Sequence, residues 1–366
     1  MSDNKKNIIV ACATSFVFIL LTLFVWFKPS SDFSEAERRT LAQAPEFNYK
    51  TVSSKSFMDD FEKYALDQFP FRDNFRSAKA MFSYSIFNKS DNNGIYIKNG
   101  FVSKLDYPLN ESSIKRAASR FEYVYNTYLK NKNTKQYLAV IPDKNYFIAK
   151  ENGYLAIDYN QLIGILRENT DFLEYIDITN TLQLTDYYKT DTHWRQECLN
   201  DVADKICSSM GTKLNTVYEE KTFDKDFYGV YYGQAALPIK PDKIKYLTNS
   251  TLENCRVYDY QNSKEISIYD KEKAQGKDPY EMYLSGPLSL LSIENSNAKS
   301  DKELIIFRDS FASSIAPLFV DGYKKITLID IRYIHPSQLK NYVDFNSQDV
   351  LFLYSTMVLN NAETIK

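Results

Sequence analysis

Histidine is almost missing from this chain: His193 and His335 are the only two among 366 residues. A serine hydroxyl needs a base to act as a nucleophile at neutral pH, so few arrangements for serine activation are open. Charge of one sign is also lacking. The 45 basic and 47 acidic residues leave a formal net charge of -2, which excludes the basic footprint of a nucleic-acid binder. Cysteine is scarce at four, no C-x-x-C pair occurs, and of the two histidines only His193 lies near a cysteine, Cys198, so a zinc site is not expected. No cofactor is expected. Cys198 and Cys207 fall on the apolar face of an expected helix and read as buried thiols. Aromatic residues, by contrast, are plentiful at 15%, with 29 tyrosines, which suits sugar-binding surfaces and ordinary cores alike.

One long apolar run stands out, residues 8–27, IIVACATSFVFILLTLFVWF. A helix rising about 1.5 Å per residue crosses the roughly 30 Å hydrocarbon layer at this length. Lys5 and Lys6 precede it, Lys28-Pro29 closes it, and Trp26 and Phe27 sit where an interface is expected. A cleaved secretory signal is the alternative. The run exceeds the usual signal core of about 7–15 residues, and no small-x-small site follows directly. The reading is a single-pass signal anchor at 8–27, a cytoplasmic tail at 1–7, and a working body outside the cytoplasm.

Beyond the anchor, residues 28–131 read as a linker and a helical region. Phe57, Phe61, Tyr64 and Ala65 recur at helical spacing, Pro70 interrupts, and the pattern resumes through Phe75, Ala78 and Phe82. A hairpin is expected at 94–102, turning at Asn99-Gly100, and an amphipathic helix at 112–131. From 132 to 366, short apolar runs alternate with helix-length segments. Strands are expected at 137–141, 173–178, 304–307, 326–331 and 350–354, and a helix at 159–168. Another helix is expected from near Trp194, through Cys198, Leu199, Val202, Ala203, Ile206, Cys207 and Met210. This is the pattern of an α/β domain with a mostly parallel sheet. Residues 215–300 break the alternation and read as an irregular, partly β insertion.

Two strings carry chemistry: Asp191-Thr192-His193-Trp194 and Asp309-Ser310-Phe311. Asp191 and His193 are two apart, which puts both side chains on one side of an extended segment. The carboxylate then fixes the imidazole tautomer and leaves the far ring nitrogen free. Ser310 follows an expected strand. In open parallel sheets, ligands bind beyond the carboxyl ends of the strands. A serine at a strand-to-helix turn also brings its own N–H as an oxyanion donor. His335, after Asp330 and Tyr333, is the rival base, and reads better as a surface histidine before Pro336.

These strings and several others resemble the DHHW family of bacterial envelope proteins, which is similar to the alginate O-acetyltransferases of the AlgX and AlgJ type with an SGNH-hydrolase-like, flavodoxin-like domain. The matching stretches are Asp191–Trp194, Ser34–Leu41 (SEAERRTL), Asp67–Asp73 (DQFPFRD), Ile141–Lys144, Phe227–Gly229, Asp278–Tyr280 through Gly286, Arg308–Phe311, Asp330–Tyr333 and Asp349–Leu351. The resemblance implies Ser310, His193 and Asp191 as catalytic residues, and acetyl transfer to a cell-envelope polysaccharide or exopolysaccharide. It also implies a membrane-bound O-acyltransferase partner that supplies the acetyl group. Asp191 and His193 precede Ser310, which implies a motif order permuted from ordinary SGNH enzymes. Arg308, Trp194, Arg332 and Tyr333 are the candidate pocket residues. An acetyl-esterase would use the same three catalytic residues. An anchored, non-catalytic glycan-binding scaffold is the other alternative. Arg308 is its main support, because SGNH enzymes carry glycine before the Asp-Ser pair.

Overall fold

The computed structural model describes residues 3–34 and 36–366. Met1 and Ser2 of the expected tail, Glu35 of the Ser34–Leu41 stretch and the side chain of Trp26 lie outside the described residues. The chain forms two compact units. One holds residues up to 93 together with 232–238; the other holds 94–231 and 239–366.

The first unit begins with a helix, Asp3–Phe27. Among the described residues it is the one helix long and apolar enough to cross a membrane. Helices Ser56–Asp67 and Arg72–Ser85 follow, separated at Pro70 as the sequence predicts. The Ser34–Leu41 and Asp67–Asp73 stretches meet here. Arg39 Nη1 donates to Asp67 Oδ2 at 2.8 Å, the Ala42 N–H donates to the same oxygen at 2.9 Å, and Arg72 pairs with Glu37.

The second unit is built on one eight-stranded sheet. In chain order its strands are β1 Lys135–Ile141, β2 Glu174–Tyr175, β3 Arg256–Asp259, β4 Lys264–Ile266, β5 Leu290–Glu294, β6 Glu303–Arg308, β7 Lys325–Ile329 and β8 Asp349–Ser355. Across the sheet the order is β4-β3-β5-β7-β6-β8-β1-β2. Strands β7, β6, β8, β1 and β2 pair in parallel. The β4, β3 and β5 edge is antiparallel. Period-two alternation sends Leu304, Ile306, Leu351 and Leu353 to one core, and Ile305, Phe307, Val350 and Phe352 to the other. Helix Asn200–Ser209 and the segment 311–320 cover the first face; helices Glu111–Val124 and Tyr159–Glu168 cover the second. Burial on both faces explains why β6 and β8 read as unbroken apolar runs.

Three expectations are corrected. Helix Glu111–Val124 belongs with the sheet rather than with the N-terminal region: Phe121 is buried against Phe352 and Tyr354 of β8. The helix expected from Trp194 starts at Asn200, after a 3-10 turn at Gln196–Cys198, because Trp194 forms a β-bridge with Tyr187. Residues 215–300 are not one insertion. Glu219–Phe227 and Asp242–Thr248 form a separate antiparallel pair, whereas β3, β4 and β5 extend the main sheet.

Candidate active site

Ser310 lies just beyond the carboxyl end of β6, and Asp309 fixes the turn that carries it. Fully buried, Asp309 accepts from the Phe311 N–H at 3.0 Å through Oδ1 and from the Ser355 N–H at 2.7 Å through Oδ2. The second bond ties the turn to the end of β8, the neighbouring parallel strand. Arg308 is the last residue of β6 and therefore extended, so the position does not need glycine.

His193 Nδ1 is 2.7 Å from Asp191 Oδ1, and His193 Nε2 is 2.9 Å from Ser310 Oγ. Asp191 also accepts from the His193 N–H at 3.1 Å and, on its other oxygen, from the Val230 N–H at 2.8 Å. A carboxylate so surrounded by donors is an acceptor only. Nδ1 therefore carries the imidazole proton, and Nε2 accepts from the serine hydroxyl. The His193 ring lies flat against Tyr280, with centroids 3.8 Å apart and planes at 9°. Burial keeps the Tyr280 hydroxyl well above its ordinary pKa, so it serves as a neutral donor to Ser314 Oγ at 2.9 Å.

The segment carrying Asp191 is held from several sides. Asp242 accepts from the Lys189 and Thr190 N–H groups at 2.9 and 2.7 Å and from Thr190 Oγ1 at 2.6 Å. Gly229 packs so closely that a Cβ there would lie 2.4 Å from Asp191 Cα. Lys144, just beyond β1, is buried and donates to the carbonyls of Tyr188 at 3.1 Å and Lys189 at 3.3 Å. Burial draws its pKa down to about 7, opposed by the negative charge of Asp191, Asp242 and Asp143. Neighbouring Asp143 is pushed up to about 7 by burial, against a hydrogen bond from Tyr159.

The four candidate pocket residues separate. Trp194 is fully buried and donates from Nε1 to Phe311 O and Ser314 Oγ, both at 3.0 Å. It anchors the turn after Ser310 and is corrected from substrate contact to support. Arg308 is also fully buried, donating to Ser313 Oγ at 2.8 Å and Leu288 O at 3.1 Å, and is corrected in the same way. Arg332 is bound to Asp330 through two bonds, 2.9 and 2.7 Å, and lies over the Tyr333 ring. Tyr333 is exposed. His335 caps the Pro336–Asn341 turn, accepting from the Ser337 N–H, and takes no part in the serine contact.

Sequence reasoning missed Tyr280, Gly229, Val230, Asp242 and Lys144 as parts of this site. Signals existed for some of them, in the Ile141–Lys144, Phe227–Gly229 and Asp278–Tyr280 stretches. Among the described residues no group of His, Cys, Asp and Glu forms a metal site.

In fold, the chain is similar to a DHHW family protein from Eubacterium siraeum DSM 15702, with a TM-score of 0.60 and 22% identity over 75% of this chain and 95% of that one. It is also similar to Bacillus cereus PatB1, with a TM-score of 0.59 and 18% identity over 74% of this chain and 98% of that one. The same protein with a sulfonyl adduct gives 0.57 and 19%, over 72% and 95%. No family model and no curated protein matches the chain. The DHHW resemblance read from the sequence is thus matched at the level of the fold.

Proposed function

We propose that this protein is an O-acetyltransferase that works through an acetyl-enzyme on Ser310. The observation that carries the reading is the unbroken chain from Asp191 Oδ1 to His193 Nδ1 at 2.7 Å and from His193 Nε2 to Ser310 Oγ at 2.9 Å. In the first half-reaction Ser310 Oγ attacks the acetyl carbonyl carbon as His193 Nε2 takes its proton. The tetrahedral intermediate collapses, the donor's C–O bond breaks, and the imidazolium returns the proton to the leaving oxygen. In the second, an acceptor hydroxyl gives its proton to Nε2 and attacks the acetyl-serine; the bond between Ser310 Oγ and the acyl carbon breaks, and the imidazolium returns the proton to Oγ. Asp191 keeps the tautomer and steadies the imidazolium. In this reading the Ser310 N–H, at the strand-to-helix turn, donates to the developing oxyanion.

The acceptor in this reading is a hydroxyl of a cell-envelope polysaccharide or exopolysaccharide. The acetyl group is supplied by a membrane-bound O-acyltransferase partner. The Asp3–Phe27 helix anchors the chain, and the catalytic unit works outside the cytoplasm. The motif order is that of a permuted SGNH domain. One structure similar in fold carries a sulfonyl adduct; by extension, a sulfonyl fluoride is expected to modify Ser310 here. An esterase differs only in using water as acceptor. The test is incubation with an acetyl ester and envelope oligosaccharides. Acetylated sugar formed by wild type and lost in Ser310→Ala supports transfer; free acetate with no sugar ester contradicts it.

A further inference from the structure

The Ser34–Leu41 and Asp67–Asp73 stretches take no part in the chemistry, yet both are tightly engaged. Buried Gln68 accepts from the Ser31 N–H through Oε1 and donates from Nε2 to Ser31 O, both at 2.9 Å, and to Ala42 O at 3.0 Å. Together with the Asp67 and Arg72 bonds, this laces the segment that leaves the long apolar helix onto the junction between helices Ser56–Asp67 and Arg72–Ser85. At that junction Phe71 adopts a left-handed backbone, φ 55°, which is costly for a bulky residue. The conformation presents an exposed ring that packs on Phe24 of the apolar helix, with centroids 5.9 Å apart.

Phe71 opens a stripe. Phe75, Phe82 and Ile86 follow, at spacings of seven and four, on one face of the helix that Phe71 heads. All four are more than half exposed, at 59%, 53%, 53% and 60%. Soluble surfaces scatter single apolar residues; an aligned run of large ones marks a contact surface. Arg72 and Arg76 point elsewhere, to Glu37. The stripe is continuous, through Phe71 and Phe24, with the flank of a helix whose described apolar side chains are mostly exposed. Phe24 is three residues from the end of that helix, so the ring of Phe71 meets it about 4–5 Å inside the end. This lies near the shallow end of the roughly 5–10 Å depth of helices lying in a membrane interface.

We infer that helix Arg72–Ser85 lies in the interface of the bilayer that the Asp3–Phe27 helix crosses, with Phe71, Phe75, Phe82 and Ile86 turned into its acyl chains. The inference rests on the membrane-anchor reading above. Lipid, rather than a protein partner, is favoured because the stripe continues the side of the anchor itself. Exposed Lys79, within the stripe, reaches headgroups by extending its stem.

The test uses the full chain in phosphatidylcholine vesicles with brominated acyl chains. In a Trp26→Phe background, Phe82→Trp reports the helix and Phe24→Trp reports the anchor; Trp194 is a buried constant. Loss of emission at both positions is expected, with a blue shift at position 82 on vesicle binding. Loss at position 24 without loss at position 82 overturns the inference and leaves the anchor standing, whether the stripe is in water or under a protein. No loss at either position overturns both. Phe75→Trp provides an independent second reading, expected to match Phe82→Trp; an unquenched signal there also overturns the inference.

Discussion

At the residue scale, the site is set by what each polar group is able to donate or accept. Asp191 only accepts, so it dictates which nitrogen of His193 holds the proton. Asp191→Asn would let the ring settle in the other tautomer. Turnover of a chromogenic acetyl ester is expected to fall by up to about 10⁴-fold, with KM changed far less. Trp194→Phe removes the donor shared by Phe311 O and Ser314 Oγ. Chemical denaturation should show a loss of about 1–3 kcal/mol, and KM for the acceptor should hold, as a supporting residue requires. Lys144 gives a prediction in pH. Its folded-state pKa is drawn down to about 7 by burial, whereas the unfolded chain keeps the proton to about 10.4. Between those values the unfolded state binds more protons, so this group's contribution to stability rises with pH. In thermal melts, the difference between wild type and Lys144→Met should move in favour of wild type from pH 7 to pH 10.

At the element scale, the site depends on segments that approach within backbone contact. Gly229→Ala would drive a methyl into Asp191. Overpacking of this kind costs about 1–3 kcal/mol, and melting and ester turnover should drop together. The sheet core was legible in the sequence because β1, β6, β7 and β8 are buried on both faces and read as apolar runs. Helix Tyr159–Glu168 was legible as a helix-length segment between two expected strands. Strands β3 and β4, at the antiparallel end of the sheet, were not. They are four and three residues long, with every second residue of β3 and most of β4 exposed, so Tyr- and Lys-rich sequence suffices for them. The two strings named Asp191, His193 and Ser310 because their order and spacing are local. Tyr280, Asp242 and Lys144 reach the same place through long-range folding, which spacing does not encode. Trp194 and Arg308 were misjudged because large polar-tipped residues beside a nucleophile fit either a pocket wall or a buried strut.

At the scale of the whole molecule, two tasks fall to two units: one carries the apolar helix and the interfacial stripe, the other the sheet and its site. All four cysteines are free thiols, and burial raises the pKa of Cys207 above its ordinary value. Reductant is therefore expected to leave both melting temperature and ester turnover unchanged. Mass spectrometry shows whether Ser310 carries the acetyl group. The full-length protein is mixed with an activated acetyl ester, quenched in acid and digested. An acetyl group is expected on Ser310 in wild type and none there in His193→Ala. Turnover of the ester with no acetyl on Ser310, or equal acetylation in both proteins, would contradict the acetyl-enzyme mechanism.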